Sequence, residues 1–271
     1  MSAVFHANGI LSRLYSPNKS YEGESFCFID TKKFVTKKIS GELPIPPSHL
    51  REGYATESDE LFLSDGSKTY RSLRLIMSDH KIAIDENSSV MDWGCATGRV
   101  LRHFAQEAER GEFWGVDQSE RYIMWAKDNL SPPFRFLTCT SYPHLPFSDN
   151  KFSFIYGMSV FTHIIHLQDL WLMEFNRLLT KGGYAVFSIH DENTVNFFLK
   201  TGKPEWIPDD LTLEEILKHD VTIIPGRDFN DTFTFFKDDW IKKEWGRYFK
   251  VVEIRPYAED YQSAVVLMKN S

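Results

Sequence analysis

The sequence has few cysteines and no long apolar run. Its three cysteines, Cys27, Cys95 and Cys139, are odd in number, lie far apart and lack the paired spacing of a metal site. We therefore expect reduced thiols in a cytoplasmic protein. The N-terminus has no basic segment leading into a long apolar core, and no apolar run approaches the roughly 20 residues needed to cross a bilayer. The sequence therefore predicts no membrane partner.

The chain also lacks a basic balance, since its formal net charge is −7 at pH 7. Proteins that bind the phosphate backbone usually present a basic face. The lysine pairs Lys32-Lys33 and Lys37-Lys38 are short and have acidic residues nearby. We therefore expect no nucleic-acid partner, and the oligomeric state stays open.

From Ser88 onward, short apolar strands alternate with amphipathic helices, which predicts an α/β, Rossmann-like, doubly wound sheet. One helix is predicted from Gly98 to Arg110 and the next after Ser119 as its N-cap. The C-terminal segments KVVEIRPY and SAVVLMK are predicted as antiparallel closing strands. The expected sheet has seven strands.

The domain organisation follows from where this alternation weakens. Residues 1–65 show little periodicity and are predicted as an N-terminal extension or cap, ahead of a main domain over 66–271 that opens with a helix to about His80. Residues 191–236 interrupt the main domain after its fifth strand. We predict that this insertion forms a lid or substrate pocket, because it supplies apolar rings at Trp206, Phe229, Phe233 and Phe235.

The clearest chemical signal lies at the end of the first predicted strand. That strand ends in Asp92, and the small residues Gly94, Ala96 and Gly98 follow at alternating positions. Small residues let a backbone approach a ligand closely, and ligands of open α/β sheets bind at the carboxyl ends of strands. The free N–H groups of the helix expected after Gly98 would point at such a ligand.

A second acid strengthens this signal. Asp117 ends the next predicted strand, where a carboxylate can accept both hydroxyls of a ribose. The main competitor is a dinucleotide site with the fingerprint G-x-G-x-x-G. Here the third glycine position falls on Arg99, whose long side chain prevents close packing of helix on strand. The pattern therefore favours a nucleoside site of another kind.

DWGCATGRVLRHF resembles motif I of class I S-adenosylmethionine (SAM)-dependent methyltransferases, normally D/E-x-G-x-G-x-G, with Ala96 in place of the middle glycine. GVDQSERYIMWAK, HLPFSDNKFSFIYGMSVFTHI and FNRLLTKGGYAVFSI resemble later elements of that family, in the same order. The resemblance covers about Ser88 to His190. It implies a methyltransferase whose cofactor is SAM.

Carried over by position, the resemblance implies a cofactor site with three parts. The first strand and turn would surround the methionine of SAM, the second strand end would hold its ribose and adenine, and later residues would meet the adenine edge and the methyl-transfer end. The methionine part would lie against Asp92, Gly94, Ala96 and Gly98, and the ribose and adenine would lie against Asp117 and Gln118. Thr140 or Ser141 would meet the adenine edge, and Ser159 with Gly157 and Met158 would line the methyl-transfer end. The acid that the family often has near Thr140 is absent.

Methyl transfer from a sulfonium needs alignment and, for many acceptors, a base. His163, His166 and His190 are the histidine candidates, and we take His163 and His190 as the predicted catalytic residues. The predicted reaction is O- or N-methylation of a small organic or sugar-like acceptor. A nucleic-acid or protein methyltransferase on the same fold, or a non-catalytic SAM-binding protein, is the alternative.

Overall fold

The computed structural model describes residues 28–29, 43–51, 58–225 and 232–270. Phe229 of the predicted insertion and the lysine pairs at 32–33 and 37–38 lie outside these ranges. The described residues fall into two compact units. One holds residues 28–29, 43–51, 58–74 and 83–146, and the other holds 75–82, 147–225 and 232–270.

The first unit is built on a sheet in the order β1–β4–β3–β2. Strands β2, β3 and β4 run parallel, and the two-residue β1 pairs antiparallel with β4. The central strands are buried along almost their whole length, as expected for a parallel sheet covered on both faces. The elements are β1 (Phe28–Ile29), a 3-10 helix (Ser48–Leu50), α1 (Asp59–Asp79, whose last turn belongs to the second unit), β2 (Ser89–Trp93), a 3-10 helix (Leu101–Phe104), α2 (Ala105–Ala108), β3 (Glu112–Asp117), α3 (Glu120–Leu130) and β4 (Arg135–Thr138).

The second unit continues the α/β pattern and then departs from it. Its main sheet has the order β5–β6–β10–β9, with β5 and β6 parallel and the last two strands antiparallel. A separate hairpin pairs β7 with β8. The elements are β5 (Phe152–Gly157), α4 (Gln168–Leu178), β6 (Leu179–Ile189), α5 (Glu192–Thr201), α6 (Leu213–Ile216), β7 (Val221–Pro225), β8 (Thr232–Phe236), α7 (Asp238–Glu244), a 3-10 helix (Trp245–Arg247), β9 (Lys250–Glu259) and β10 (Gln262–Met268).

The predicted α/β class and the antiparallel closing strands are confirmed. The seven predicted strands correspond to β2, β3, β4, β5, β6, β9 and β10. The helix predicted from Gly66 begins earlier, at Asp59. The sequence Lys181-Gly182-Gly183 is typical of a turn, but these residues lie inside β6, where Gly182 takes a φ of 71°.

Two helices are shorter than predicted. The segment from Gly98 to Arg110 forms only a 3-10 turn followed by the four-residue α2. The segment DDLTLEEILKH of the insertion has a helical pattern, but it forms only the one-turn α6. None of the helices in the described ranges has the length and apolar character needed to span a bilayer.

Candidate functional site

The turn after β2 has an unusual backbone. Gly94, Ala96 and Gly98 have φ values of 75°, 46° and 78°, so alternate residues adopt the left-handed conformation. Glycine reaches this region at no steric cost, whereas alanine at position 96 pays about 1–2 kcal/mol. A side chain at residue 98 would place its Cβ 2.8 Å from Leu130 Cδ1, which explains the glycine there.

The β3 strand end holds this turn in place. The backbone N–H groups of Gly94 and Cys95 donate to the Val116 carbonyl at 2.8 and 3.2 Å. The N–H of Ala96 donates to the Asp117 carboxylate at 2.8 Å, and the N–H of Ser119 donates to its other oxygen at 2.8 Å. Two backbone donors therefore orient the buried Asp117 carboxylate.

These bonds distinguish the turn from a phosphate-binding loop. A phosphate loop aims its N–H groups at the anion, but here the N–H groups of Gly94, Cys95, Ala96 and Gly98 all donate within the chain. The helix predicted after Gly98 is present only as a short 3-10 turn, so it offers few aligned N–H groups. The geometry suits a ligand without a phosphate at this point.

The charge of the turn fits SAM in particular. Asp92 and Asp117, which end neighbouring parallel strands, are both buried, at 4% and 8% exposure. Two buried carboxylates favour a cationic or hydroxyl-bearing ligand, and SAM offers a sulfonium charge and a ribose diol. These acids, with the three small residues of the turn, are the groups that could hold it.

The polar residues predicted near the adenine lie close together. Ser141 Oγ donates to Gln118 Oε1 at 3.2 Å, which joins the loop after β4 to the start of α3. Thr140 Oγ1 accepts from the Tyr142 N–H at 3.2 Å and so shapes the same loop. Ser119 occupies the N-cap position of α3 as predicted, but its side chain makes no capping hydrogen bond.

Cys95 and Cys139 are buried beside this region as free thiols. Burial, followed by the negative charges of Asp117 and Asp92, raises the pKa of the Cys95 thiol well above its usual value. A thiol that stays protonated is a poor nucleophile. Cys95 therefore acts here as a small packing residue.

In the second unit, Ser159 follows β5 and has a φ of 57°. Its N–H donates to Ser188 Oγ at 2.6 Å, and its hydroxyl lies 3.0 Å from Gln262 Nε2. Ser188 Oγ also donates to Gln262 Oε1 at 2.6 Å. The sequence did not indicate Ser188 or Gln262, because their link to Ser159 depends on strand pairing between β6 and β10.

His163 lies in a turn ahead of α4. Its Nδ1 lies 2.9 Å from the Thr232 carbonyl oxygen, and the Thr232 hydroxyl donates to the His163 carbonyl at 2.8 Å. A carbonyl only accepts, so Nδ1 is the donor in this contact. The contact fixes the orientation of the His163 ring.

His190 follows β6 in a very different environment. It is 2% exposed, and neither ring nitrogen has a hydrogen-bond partner within the described part of the chain. Burial, followed by the charge of His163, lowers its pKa to about 3, and the nearby Thr234 backbone offsets this only slightly. His190 therefore stays neutral at physiological pH.

Strand β8 connects these two histidines. Its Thr232 hydroxyl donates to the His163 carbonyl at 2.8 Å, and its Phe236 N–H donates to the His190 carbonyl at 2.9 Å. The two predicted catalytic residues are therefore brought to the same strand. One lies against a backbone carbonyl of that strand, and the other is buried among rings.

Aromatic rings from the insertion and from Tyr261 surround His190. The His190 ring lies 5.6 Å from the Trp206 ring and 5.8 Å from the Tyr261 ring, both nearly parallel to it, and 5.0 Å from Phe235. Trp206 also stacks on Phe233, with a centroid distance of 4.4 Å. Trp206, Phe233 and Tyr261 are only partly buried, so this cluster has an accessible aromatic side.

Three acidic residues, Asp191, Glu192 and Asp238, lie at the starts of α5 and α7. Asp191 caps α5 through the N–H groups of Asn193 and Thr194, each at 3.0 Å. The Asp238 N–H donates to Glu192 at 2.9 Å. Burial, then the negative charges of Asp191 and Glu192, raises the pKa of Asp238 to about 7.

Comparison with protein families gives a match over the central part of the chain. Residues 90–183 match the family model of a methyltransferase domain. This range contains the turn after β2, both strand-end acids and Ser159. A search of curated proteins by sequence found no match.

Comparison with solved structures shows the fold. A SAM-dependent methyltransferase from Mesorhizobium loti is 16% identical, with a TM-score of 0.54 over 75% of this chain and 99% of that one. A SAM-dependent methyltransferase from Aquifex aeolicus is 14% identical, with a TM-score of 0.53 over 83% and 100%. The 1,6-didemethyltoxoflavin-N1-methyltransferase of Burkholderia thailandensis is 13% identical, with a TM-score of 0.51 over 90% and 98%.

The domain match covers the middle of the chain, and the solved structures show the fold. The turn after β2 and the buried acids Asp92 and Asp117 lie inside the matched range. Residues 90–183 are therefore similar to a methyltransferase domain, and the chain has the fold seen in solved SAM-dependent methyltransferases.

Proposed function

We propose that this enzyme transfers the methyl group of SAM to an oxygen or nitrogen atom of a small organic or sugar-like acceptor. The observation that carries the proposal is an aromatic cluster formed by Trp206 and Phe233 of the insertion together with Tyr261, in which the Phe233 ring contacts the His163 ring. Enclosed apolar surfaces with a few polar groups are typical of small-molecule sites. The net charge of −7 gives no general attraction to phosphates.

Asp92, Gly94, Ala96 and Gly98 hold the methionine part of SAM in this proposal, and Asp117 accepts the ribose hydroxyls. Gln118, with Thr140 and Ser141, lies along the adenine, and Ser159 lies toward the methyl-transfer end. When bound, SAM supplies an electrophilic methyl group on a sulfonium. The buried acids favour that charge, and the Ala96 N–H keeps the Asp117 carboxylate fixed.

His163 removes the acceptor proton in this proposal. The Thr232 carbonyl holds the proton on Nδ1, so the incoming proton goes to Nε2 and the resulting cation keeps its hydrogen bond. His190 is less suited to this role, because a group with a pKa of about 3 is a weak base at neutral pH. We propose that His190 instead forms part of the aromatic wall.

One solved neighbour supports an organic acceptor. The Burkholderia thailandensis methyltransferase holds 1,6-didemethyltoxoflavin together with S-adenosylhomocysteine (SAH), and its fold covers 90% of this chain. That fold can therefore bind an organic acceptor together with the cofactor product. We extend only this acceptor class to the present enzyme.

The proposal is tested with radiolabelled SAM and a panel of phenols, amines, N-heterocycles and sugars, with single-stranded RNA, duplex DNA and a protein extract alongside. We expect label in a small molecule, and we expect Trp206→Ala and Phe233→Ala to lower transfer while SAH binding stays intact. The matched control is Trp240→Ala, since Trp240 stacks on Phe236 outside this cluster. Label confined to nucleic acid or protein would refute the small-molecule acceptor.

A further inference from the structure

Residues 43–51 lie directly against the turn after β2, and we name this segment the strap. The Thr97 hydroxyl donates to the Leu50 carbonyl at 3.0 Å. Arg102 Nη2 donates to the carbonyl oxygens of Leu43 and Pro44, both at 2.6 Å. One side chain from the turn and one from the 3-10 helix after it therefore hold both ends of the strap.

The chemistry of the strap explains this arrangement. Three of its residues are prolines, which have no backbone N–H, so its carbonyl oxygens are its main hydrogen-bonding groups. Burial lowers the pKa of Arg102 to about 10, so the guanidinium stays charged at neutral pH. A charged donor forms stronger hydrogen bonds to carbonyls than a neutral one.

A second arginine fixes the C-terminal end of the strap. Arg51 Nε donates to the Pro46 carbonyl at 3.0 Å, and its guanidinium forms an ion pair with Asp59 on α1. Arg51 and Arg102 also lie over the ring of Phe62, 5.3 and 5.9 Å from its centre. Both arginines are nearly fully buried, so the strap is packed rather than laid loosely on the surface.

We infer that the strap is part of the cofactor site and that Thr97 and Arg102 are the residues that position it. Thr97 stands between Ala96 and Gly98, whose left-handed conformations set the direction of its side chain. The turn that receives SAM is therefore the turn that holds the strap. This inference rests on the proposed binding of SAM at that turn.

Coupling between two binding events is reciprocal. SAM or SAH bound at the turn stabilises the docked strap, and the docked strap raises affinity for SAM or SAH by the same factor. The readout on the strap is tryptic cleavage after Arg51, whose side chain is 6% exposed and ion-paired when the strap is docked. Trypsin can therefore reach this residue only after the strap opens.

The experiment measures cleavage after Arg51 by mass spectrometry, with and without saturating SAH, beside SAH affinity by calorimetry. For the unmodified protein we expect SAH to slow this cleavage about tenfold. Thr97→Val removes the hydroxyl with little change of shape, so cleavage should become about fivefold faster, the equivalent of one lost hydrogen bond. SAH should bind Thr97→Val severalfold more weakly, and Thr97→Ser should recover most of both losses.

Arg102→Gln provides a second variant with the same expected direction, and Arg71→Gln, an exposed arginine on α1, is its matched control. If SAH binds the unmodified protein but leaves cleavage after Arg51 unchanged, the inference is wrong while the cofactor site stands. If SAH does not bind the unmodified protein at all, the proposed function itself fails.

Discussion

The Asp117 carboxylate accepts a hydrogen bond from the backbone N–H of Ala96 at a distance of 2.8 Å. This contact joins the end of β3 to the middle of the turn after β2. The acid proposed to bind the ribose therefore also fixes the backbone proposed to bind the methionine part. A change at residue 117 acts on both.

The first prediction concerns this acid. Asp117→Ala should weaken SAM and SAH binding by about 1–3 kcal/mol, because the ribose hydroxyls and the Ala96 N–H both lose their acceptor. Calorimetry with SAH measures the effect. Asp128→Ala, at an exposed position of α3, should bind SAH as the unmodified protein does. Equal affinity in both variants would remove Asp117 from the cofactor site.

The second prediction concerns the base. His163→Ala should lower kcat about a hundredfold while leaving SAH affinity unchanged, since general-base catalysis contributes on this scale. The measurement is label transfer to the acceptor identified in the panel. His166→Ala is the matched control, because His166 is exposed and three residues away. If His163→Ala keeps full activity, alignment alone drives the reaction.

The third prediction concerns pH and His190. Its pKa is about 3 in the folded state and about 6.5 when unfolded, so the unfolded chain binds the extra proton as the pH falls. Stability should therefore drop between pH 6.5 and pH 3, with about 2 kcal/mol lost between pH 7 and pH 5. His190→Phe should remove this loss, because phenylalanine fits an aromatic surrounding and has no proton to gain.

Urea unfolding of His190→Phe at pH 5 and pH 8 tests this prediction, with the exposed His219→Phe as the control. The difference in unfolding free energy between the two pH values should shrink only for His190→Phe. An unchanged difference would mean that His190 is already protonated in the folded protein at pH 5.

The fourth prediction concerns Asp238 and has the opposite sign. Its folded pKa of about 7 lies above the usual value near 3.8, so the folded state keeps a proton that the unfolded chain releases. The contribution of this group to stability should fall as the pH rises from about 4 to about 7. Asp238→Asn should flatten that fall and stabilise the protein at neutral pH.

Asp239→Asn is the matched control for Asp238, since the neighbouring Asp239 side chain is 94% exposed. Thermal melts across pH 4 to 8 should separate the two variants. A slope that persists in Asp238→Asn would assign it to another group of this cluster, such as Glu192.

The sequence predicted the parts of the protein that depend on local pattern. Asp92 near the end of β2, Asp117 at the end of β3 and the turn of small residues after β2 follow from a buried run, an acid and alternating small residues. The length of the helix after Gly98 did not follow, because its amphipathic pattern does not show that Arg102 turns inward to bind Leu43 and Pro44.

Contacts between distant segments could not be predicted in the same way. The carbonyl that orients His163 belongs to Thr232, 69 residues away along the chain. The serine and glutamine that hold Ser159 come from two later strands. Likewise, the neutral state of His190 depends on rings from three separate segments, and no spacing near His190 indicates them.

Helix α1 approaches the segment after the turn so closely that only one residue type suits position 66. A Cβ built on Gly66 would lie 2.2 Å from the Arg99 carbonyl oxygen, and backbone cannot move aside as a flexible side chain can. Any substitution there must push the helix away from this segment. A glycine 28 positions ahead of the first glycine of the turn is therefore a marker for recognising distant homologues that share this helix packing, in a part of the chain that the family model does not reach.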